Sequence, residues 1–193
     1  MLDRIGAEKA RATSLVHYEQ AASFPAHGHP GGEEILVLSG TFSDESGDYP
    51  QGYYIRNPVG SSHTPTSHEG TLIFVKLWQM DPDDKQFTRV NTHAEENWKK
   101  INGRWICPLY SGFNEQVFLQ KLNTSESLSQ AHSAQEILVL EGELRVSQTM
   151  SAKLSQDYKI DTTTFPKGSW MRFPENYSIH LAASQANTTL FIK

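Results

Sequence analysis

The sequence predicts an all-β protein built from two tandem barrels, and three observations indicate this fold. Short runs rich in β-branched and aromatic residues recur along the 193 residues of the chain. Clusters of Gly, Pro, Ser, Asn and Asp separate the runs, as expected of turns between strands. A heptapeptide near residue 34 returns near residue 136, which indicates two copies of one unit.

The predicted strands are short and bounded by turn residues, a pattern typical of sandwiches and barrels. In order they are "TSLVHY", "EILVL", "YYIRN", "TLIFVKLW", "EQVFLQKL", a second "EILVL", "SWMRF" and "TLFIK". Helical periodicity is almost absent. Only residues 92–100 have a helical pattern, and we expect no more than a short connector there.

The repeat is supported by two matches in the same order. "EILVLSG" at 34–40 and "EILVLEG" at 136–142 agree at six of seven positions, 102 residues apart. "GYYIRNP" at 52–58 resembles "GSWMRFP" at 168–174, 116 residues further on. We therefore predict an N-terminal barrel at 1–90 and a C-terminal barrel at 91–193, with a 14-residue insertion in the second copy. The boundary is expected near residues 80–94, where the sequence becomes polar.

Composition excludes several classes of protein. The chain has 17 Lys and Arg against 22 Asp and Glu, a net charge of −5, and lacks the basic stripe that nucleic acid binding requires. The longest apolar run is "ILVL", and the N-terminal residues have no apolar core segment, so we expect no membrane contact. The single cysteine, Cys107, has no internal disulfide partner, which favours the cytoplasm.

The first copy contains a group of candidate metal ligands. In "HGHPGGEE", His27 and His29 lie two residues apart, a spacing that directs both side chains to one face of a strand. Glu33 shares that face if the strand resumes after the two glycines. His63 follows a tight turn in "GYYIRNPVGSSH". Three imidazoles and a carboxylate are a donor set suited to a divalent transition metal.

The second of these elements has a specific spacing, G-x5-P-x-G-x2-H. Its members are Gly52, Pro58, Gly60 and His63. From the residue frequencies of the chain, this spacing would occur by chance roughly 0.002 times. A lone histidine on a strand is usually a half-buried polar residue, but the two elements together favour metal binding.

The two elements resemble the two motifs of the cupin family, G-x5-H-x-H-x3,4-E-x6-G and G-x5-P-x-G-x2-H-x3-N. The first motif is met at His27, His29, Glu33 and Gly40. Ala21 stands where the leading Gly would be, and Ser67 replaces the final Asn; neither change affects a ligand position. The resemblance implies a bicupin, with two tandem double-stranded β-helix (jelly-roll) barrels.

The segment 24–63 is similar to the ChrR-type cupin, the metal-binding half of a class of anti-sigma factors. The similarity is close over 13–79 and weaker, though collinear, over the second half. In that family the equivalents of four residues bind zinc, and the resemblance implies the same role for His27, His29, Glu33 and His63.

Sigma-factor binding in that family belongs to a separate helical domain with its own His/Cys zinc site. Here the repeat begins within the first fifteen residues, helical pattern is missing and Cys107 is alone. We therefore expect no direct binding to a sigma factor. A small-molecule ligand is the expected partner, and the tendency of cupin barrels to pair through edge strands favours a homodimer.

Glu34 is the carboxylate that competes with Glu33 for the ligand role. Glu33 has the motif spacing, with six residues between it and Gly40, and it has the parity of the two histidines. Glu34 points to the other face of the strand. We therefore prefer Glu33.

The second copy is predicted to have lost the metal site. Aligning the two "EILVL" runs puts three poor ligands at the positions of the first-copy ligands: Ser129, Ala131 and Gln135. His180 lies one residue beyond the place of the fourth ligand. A shifted site with the opposite parity would consist of His132, Glu136 and His180.

Tyr54 and Arg56 flank the second motif and are candidates for a pocket above the metal. Arg56 could hold an anionic ligand, and a structural ion pair is the alternative. For Tyr54, packing in the core is the alternative to lining a pocket.

Three functions are compatible with this site. The first is a ChrR-like metal-binding cupin that binds or senses a small molecule. The second is a metal-dependent dioxygenase acting on a small diketone- or catechol-like substrate, and the third is a metal-stabilised structural barrel. Zinc is the expected ion, while iron(II) and manganese also suit the donor set. No catalytic side chain is assigned.

Overall fold

A computed structural model of the chain describes residues 1–112, 115–128, 134–150, 159–175 and 179–193. The described residues form twenty strands and one 3₁₀ turn at Glu95–Asn97, without an α-helix, so the all-β prediction is confirmed. Within these ranges, no helix is long and apolar enough to cross a membrane. The chain divides into two compact units, Met1–Asn97 and Trp98–Lys193.

Eleven strands belong to the first unit. They are β1 (Asp3–Ile5), β2 (Arg11–Tyr18), β3 (Ala22–Ser23), β4 (His27–His29), β5 (Glu33–Asp44), β6 (Gly47–Pro50), β7 (Tyr53–Asn57), β8 (Ser61–His63), β9 (Thr66–Ser67), β10 (Thr71–Leu77) and β11 (Thr88–Asn91).

The main sheet of the first unit is antiparallel, with the strand order β1-β2-β10-β5-β7-β11. The long strand β5 continues beyond this sheet, where it pairs with β6 and β9. β4 and β8 form a separate two-stranded ribbon. The ribbon carries the three histidines of the motifs.

The core of the first unit lies on one face of the main sheet. Alternate residues of three neighbouring strands, among them Ile35, Ile55 and Ile73, are buried there together with Phe42 and Tyr49. Alternation follows from the strand geometry, since every second side chain points to the same face. Burial of this apolar surface is the main source of stability.

Nine strands belong to the second unit. They are β12 (Lys99–Ile101), β13 (Arg104–Gly112), β14 (Glu115–Leu122), β15 (Gln135–Glu141), β16 (Glu143–Met150), β17 (Lys159–Pro166), β18 (Trp170–Phe173), β19 (His180–Ala183) and β20 (Thr188–Ile192). They form a sheet with the order β12-β13-β14-β20-β15-β18 and a smaller one with the order β17-β16-β19.

The repeat found in the sequence has the same strand pairing in both units. Glu34 pairs with Arg56 across β5 and β7, and Glu136 pairs with Arg172 across β15 and β18. The side-chain hydrogen bond from the Tyr54 hydroxyl to Glu34 also has a counterpart, from the Trp170 indole to Glu136. The repeated residues therefore occupy repeated structural positions.

Within the described parts of the chain, no sheet closes on itself, so a closed barrel is not seen in either unit. Residues 92–100, the predicted connector, contain the 3₁₀ turn at Glu95–Asn97 and the first residues of β12. The polar segment before them contributes β11 to the main sheet of the first unit, through its pairing with β7.

Gly40, the last residue of the first motif, provides a test of this packing. Its φ of +69° is disfavoured for other residues, and a Cβ there would collide with the backbone carbonyl of Gly70. Gly60 has a φ of +84° but open space around it. We expect Gly40→Ala to lower the free energy of unfolding by about 3 kcal/mol and Gly60→Ala by about 1 kcal/mol. Chemical denaturation of both variants measures the difference, and equal losses would contradict the packing described here.

Candidate metal centre

The β4–β8 ribbon brings the three motif histidines together. His27 pairs directly with His63 across the ribbon, and His29 lies two residues along β4 on the same face. The ring centroids of His27 lie 5.0 Å from those of both His29 and His63, which are 4.6 Å apart. One nitrogen from each ring lies within 4.8 Å of the other two. The spacing of the motif histidines thus brings three imidazoles together in one cluster.

Glu33 at the start of β5 reaches the same cluster. Its Oε2 lies 3.4 Å from His29 Nε2 and 3.4 Å from His63 Nε2. Glu34 faces the opposite side of the sheet, where the Tyr54 hydroxyl donates a hydrogen bond to it at 3.0 Å. The parity argument that favoured Glu33 over Glu34 therefore matches the orientation of both carboxylates.

Two of the imidazoles are oriented through their second nitrogen. His27 Nδ1 donates to the carbonyl of Pro25 at 2.9 Å, which leaves Nε2 as the acceptor nitrogen of that ring. His63 Nδ1 lies 3.5 Å from Asp44 Oδ2, a carboxylate whose side chain is 2% exposed. Such outer partners fix the tautomer and the direction of a metal-binding imidazole.

A polar chain behind Glu33 holds its carboxylate in place. The Asn57 amide donates to Glu33 Oε2 at 3.1 Å. Arg89 Nη2 donates to the Asn57 oxygen at 2.7 Å, and its Nη1 donates to the Arg56 carbonyl. Because the Asn57 oxygen accepts from Arg89, its NH₂ group is directed to Glu33. Arg89 lies on β11, so this strand helps to hold Asn57 and Glu33 in position.

Burial dominates the electrostatics of the cluster. It raises the pKa of Glu33 to about 7, against the opposing effect of the Asn57 hydrogen bond. Burial, with the neighbouring His63 and His27, lowers the pKa of His29 to about 4. The pKa of His63 is lowered chiefly by burial as well. His29 and His63 are thus kept neutral, which is the form that binds metal ions.

The residues present fit a divalent cation. His29 Nε2 is buried and makes no hydrogen bond, although a carboxylate oxygen lies 3.4 Å away. A cation between these groups would satisfy the free nitrogen and compensate the buried carboxylate. His27 is exposed, whereas His29 and His63 are each 5% exposed, so the cluster is reached from the side of His27.

A cavity of about 280 Å³ opens beside the cluster. Its polar side is formed by β4 and the following turn, with His27, His29 and Glu33. Side chains of β2 and β10 and the Trp78 side chain supply the apolar part of the lining. The cavity gives a small molecule access to the candidate metal ligands.

Tyr54 and Arg56, the pocket candidates, lie on the other face of the sheet. Arg56 is 1% exposed and donates to Asp84 Oδ2 from Nη2 at 2.8 Å, with Glu34 3.6 Å from Nη1. Neither Tyr54 nor Arg56 is among the residues that line the cavity beside the histidines. Arg56 therefore has the position expected for an internal ion pair, and Tyr54 the position expected for packing in the core.

In the second unit, the residues of the shifted site have other partners. Glu136 accepts a hydrogen bond from the Trp170 indole at 2.7 Å, and His180 Nε2 contacts the Ser127 hydroxyl at 2.9 Å. Ser129, Ala131 and His132 lie outside the described residues. Among the residues that the structure describes, only the first unit contains a group of three potential ligands this close together.

Three supporting residues were not identified from the sequence. Asn57 could have been found, because it directly precedes the motif proline and lies opposite Glu33 in an antiparallel pair. Asp44 could not, because a β-bulge in β5 changes the strand parity between Glu33 and Asp44. Arg89 lies in a polar segment that was interpreted as a domain boundary.

The raised pKa of Glu33 predicts how the chelator-treated protein responds to pH. A carboxyl whose pKa is higher in the folded state contributes stability that is complete below pH 4.5 and is lost as the pH rises through about 7. The lowered pKa of His29 acts in the opposite sense and mainly below pH 6.5, where a histidine of the unfolded chain takes up a proton. Between pH 6.5 and 8, we therefore expect Glu33 to remove about 1 kcal/mol of unfolding free energy.

Glu33→Gln should abolish this part of the pH dependence, and denaturation of chelated protein at the two pH values measures it. Glu8→Gln, at an exposed position, is the matched control and should behave as the unmodified protein. The same fall in Glu33→Gln as in the unmodified protein would contradict a buried, proton-binding Glu33.

Several solved structures resemble this one across most of the chain. A cupin 2 conserved barrel domain protein from Leptotrichia buccalis is 13% identical, with a TM-score of 0.62, over 98% of this chain and 86% of that chain. A candidate dioxygenase from Nostoc punctiforme is 15% identical, with a TM-score of 0.72, over 95% and 68%. The protein Ylba from E. coli is 18% identical, with a TM-score of 0.68, over 94% and 75%. At these identities the likeness shows a shared fold.

Sequence comparison finds one similarity, which lies in the first unit. The search of curated proteins finds no match. The family model of the ChrR Cupin-like domain matches residues 1–81, which contain all four candidate ligands. The resemblance stated from the motifs is confirmed: residues 1–81 of this chain are similar to the ChrR Cupin-like domain.

Proposed function

We propose that this chain is a ChrR-like cupin that binds a divalent metal ion and binds or senses a small molecule at that ion. The ligands would be His27, His29, Glu33 and His63. The observation that carries the proposal is the cluster of three imidazoles, two of which lie 3.4 Å from one buried carboxylate oxygen of Glu33. The alternative of a metal-stabilised structural barrel would explain the histidine cluster, but it gives no role to the adjoining cavity.

Each supporting residue has a definite task in this proposal. The Pro25 carbonyl and Asp44 hold two of the imidazoles by their Nδ1 side. Asn57 holds Glu33. Because these partners belong to strands or to their immediate flanks, the donor atoms are fixed before an ion arrives, which reduces the entropy lost on binding.

We propose zinc as the ion, with iron(II) or manganese as alternatives. Zinc accepts imidazole and carboxylate donors readily, and its d¹⁰ shell imposes no geometric preference. Iron(II) and manganese accept the same donors. When bound, such an ion supplies a Lewis acid that can hold an oxygen donor of a ligand.

We also propose that the chain is a bicupin of two double-stranded β-helix barrels, at 1–90 and 91–193, with a degenerate site in the second. The matching strand registers of the two units support it. So does the alignment with solved cupins over more than nine-tenths of the chain. The net charge of −5 and the single cysteine support a cytoplasmic protein without a nucleic acid partner. The tendency of cupin barrels to pair through their edge strands supports a homodimer.

A second candidate function is a metal-dependent dioxygenase acting on a small diketone- or catechol-like substrate. The cavity beside the histidines favours it, because a substrate could reach the metal ligands there. One structural neighbour is named as a candidate dioxygenase. Iron in the purified protein, together with oxygen uptake on such substrates, would support the enzyme; tightly held zinc without turnover would support the binding or sensing role.

Elemental analysis of protein purified without added metal tests the proposal. We expect His27→Ala and His63→Ala each to lose most of the bound metal, because removing one of four donors unbalances the remaining three. His180→Ala is the matched control, since its imidazole belongs to the second unit and contacts Ser127 there. An unchanged metal content in the first two variants, or a halved content in His180→Ala, would overturn the assignment.

A further inference from the structure

We infer that the cavity beside the histidines takes a small ligand with one oxygen-donor head group and an uncharged, apolar body. This inference rests on the proposed metal site, because the head group would be held at the histidine end. It adds the chemistry of the ligand, which the histidine cluster alone leaves open. The lining of the cavity, its charge and its size each support it.

The lining of the cavity combines two kinds of side chain. His27, His29 and Glu33 are polar. An apolar wall is formed by residues of β2 and β10, namely Val16, Ile73, Val75 and Leu77. An apolar body placed against this wall would be removed from water, which is favourable in proportion to the area buried.

The lining residues contain no Lys or Arg. A ligand with a second anionic group would therefore lose its hydration at the apolar wall without gaining a cationic partner, and this is costly. Tyr18 supplies the single phenol hydroxyl of the lining. Its ring packs on Phe24 with the centroids 4.7 Å apart, and its hydroxyl would serve as a donor for one ligand oxygen.

Trp78 forms the part of the wall that lies over the glycine turn. Its φ of +59° is rare for a bulky residue, and such strain persists only where the surroundings impose it. The ring lies against Gly31, where a Cβ would collide with it. The indole is thus held as a flat surface next to His29 and Glu33, which suits a planar ligand body.

The size of the cavity limits the ligand. A dry cavity of about 150 Å³ accommodates benzene in a protein interior. The cavity here measures about 280 Å³. It therefore has room for one ring together with a head group, and not for a large conjugated substrate.

Binding of two hydroxamates to the zinc-loaded protein tests the inference by calorimetry. Benzohydroxamate and acetohydroxamate have the same metal-binding head and differ only in the apolar body. We expect benzohydroxamate to bind at least about tenfold more tightly. We expect 4-carboxybenzohydroxamate, which adds a second anion at the far end, to lose most of that advantage.

Two variants locate the effect. Trp78→Gly suits the positive φ of this position and removes the indole, so it should reduce the preference for benzohydroxamate while leaving acetohydroxamate affinity unchanged. Tyr18→Phe should weaken both probes by a similar factor, because it removes only the hydroxyl. Trp105→Ala, which removes a half-exposed indole from the second unit, is the control and should change neither affinity.

The outcomes separate the two proposals. If the unmodified protein binds no zinc, the proposed function fails and this inference fails with it. If zinc binds but the two hydroxamates bind equally, or the carboxylated probe binds best, the metal site stands and the inferred ligand class is wrong. The probe comparison on the unmodified protein decides this even if a variant does not fold.

Discussion

The buried carboxylate of Glu33 is the constraint on which the candidate site depends. It lies 6% exposed among neutral imidazoles, and within the described residues its hydrogen bond comes from the Asn57 amide. A carboxylate in such surroundings either takes up a proton or is compensated by a cation. His29 and His63 each place Nε2 3.4 Å from it, and His27 completes a cluster of nitrogens suited to a metal ion. The same group would thus link the stability of the fold to the binding of the proposed metal.

The main sheet supplies this arrangement by using its two faces differently. Glu33 and Glu34 are adjacent, yet one faces the histidines and the other faces the ion pair of Arg56 with Asp84. The second face is buried and polar, and Lys76 is also 1% exposed there. Charges buried in pairs are specific in geometry, since an unpaired partner would be strongly destabilising. This network fixes β5 and β7, and therefore fixes Glu33 and Asn57 on the opposite face.

The ligand positions could be predicted from the sequence because they depend on local rules. Strand parity and motif spacing indicated His27, His29 and Glu33, and a turn before His63 indicated its return to the same place. The supporting residues depend on tertiary contacts. A bulge in β5 obscures the relation of Asp44 to the cluster. The polar composition of 80–94 suggested a boundary between the two units. That segment in fact supplies Asp84 and Arg89, whose polar side chains pair with buried groups of the first unit. The internal repeat predicted two copies of one unit, and the residues that it aligns have matching partners in the strand pairing of both units.

X-ray absorption spectroscopy at the metal edge tests the central claim most directly. The protein would be loaded with one equivalent of zinc and compared with Glu33→Gln loaded in the same way. We predict three imidazole ligands and additional oxygen donors in the unmodified protein, with the imidazoles retained and an oxygen donor changed in the variant. A spectrum with fewer than two imidazoles, or one that Glu33→Gln leaves unaltered, would contradict a metal centre formed by the three histidines and Glu33.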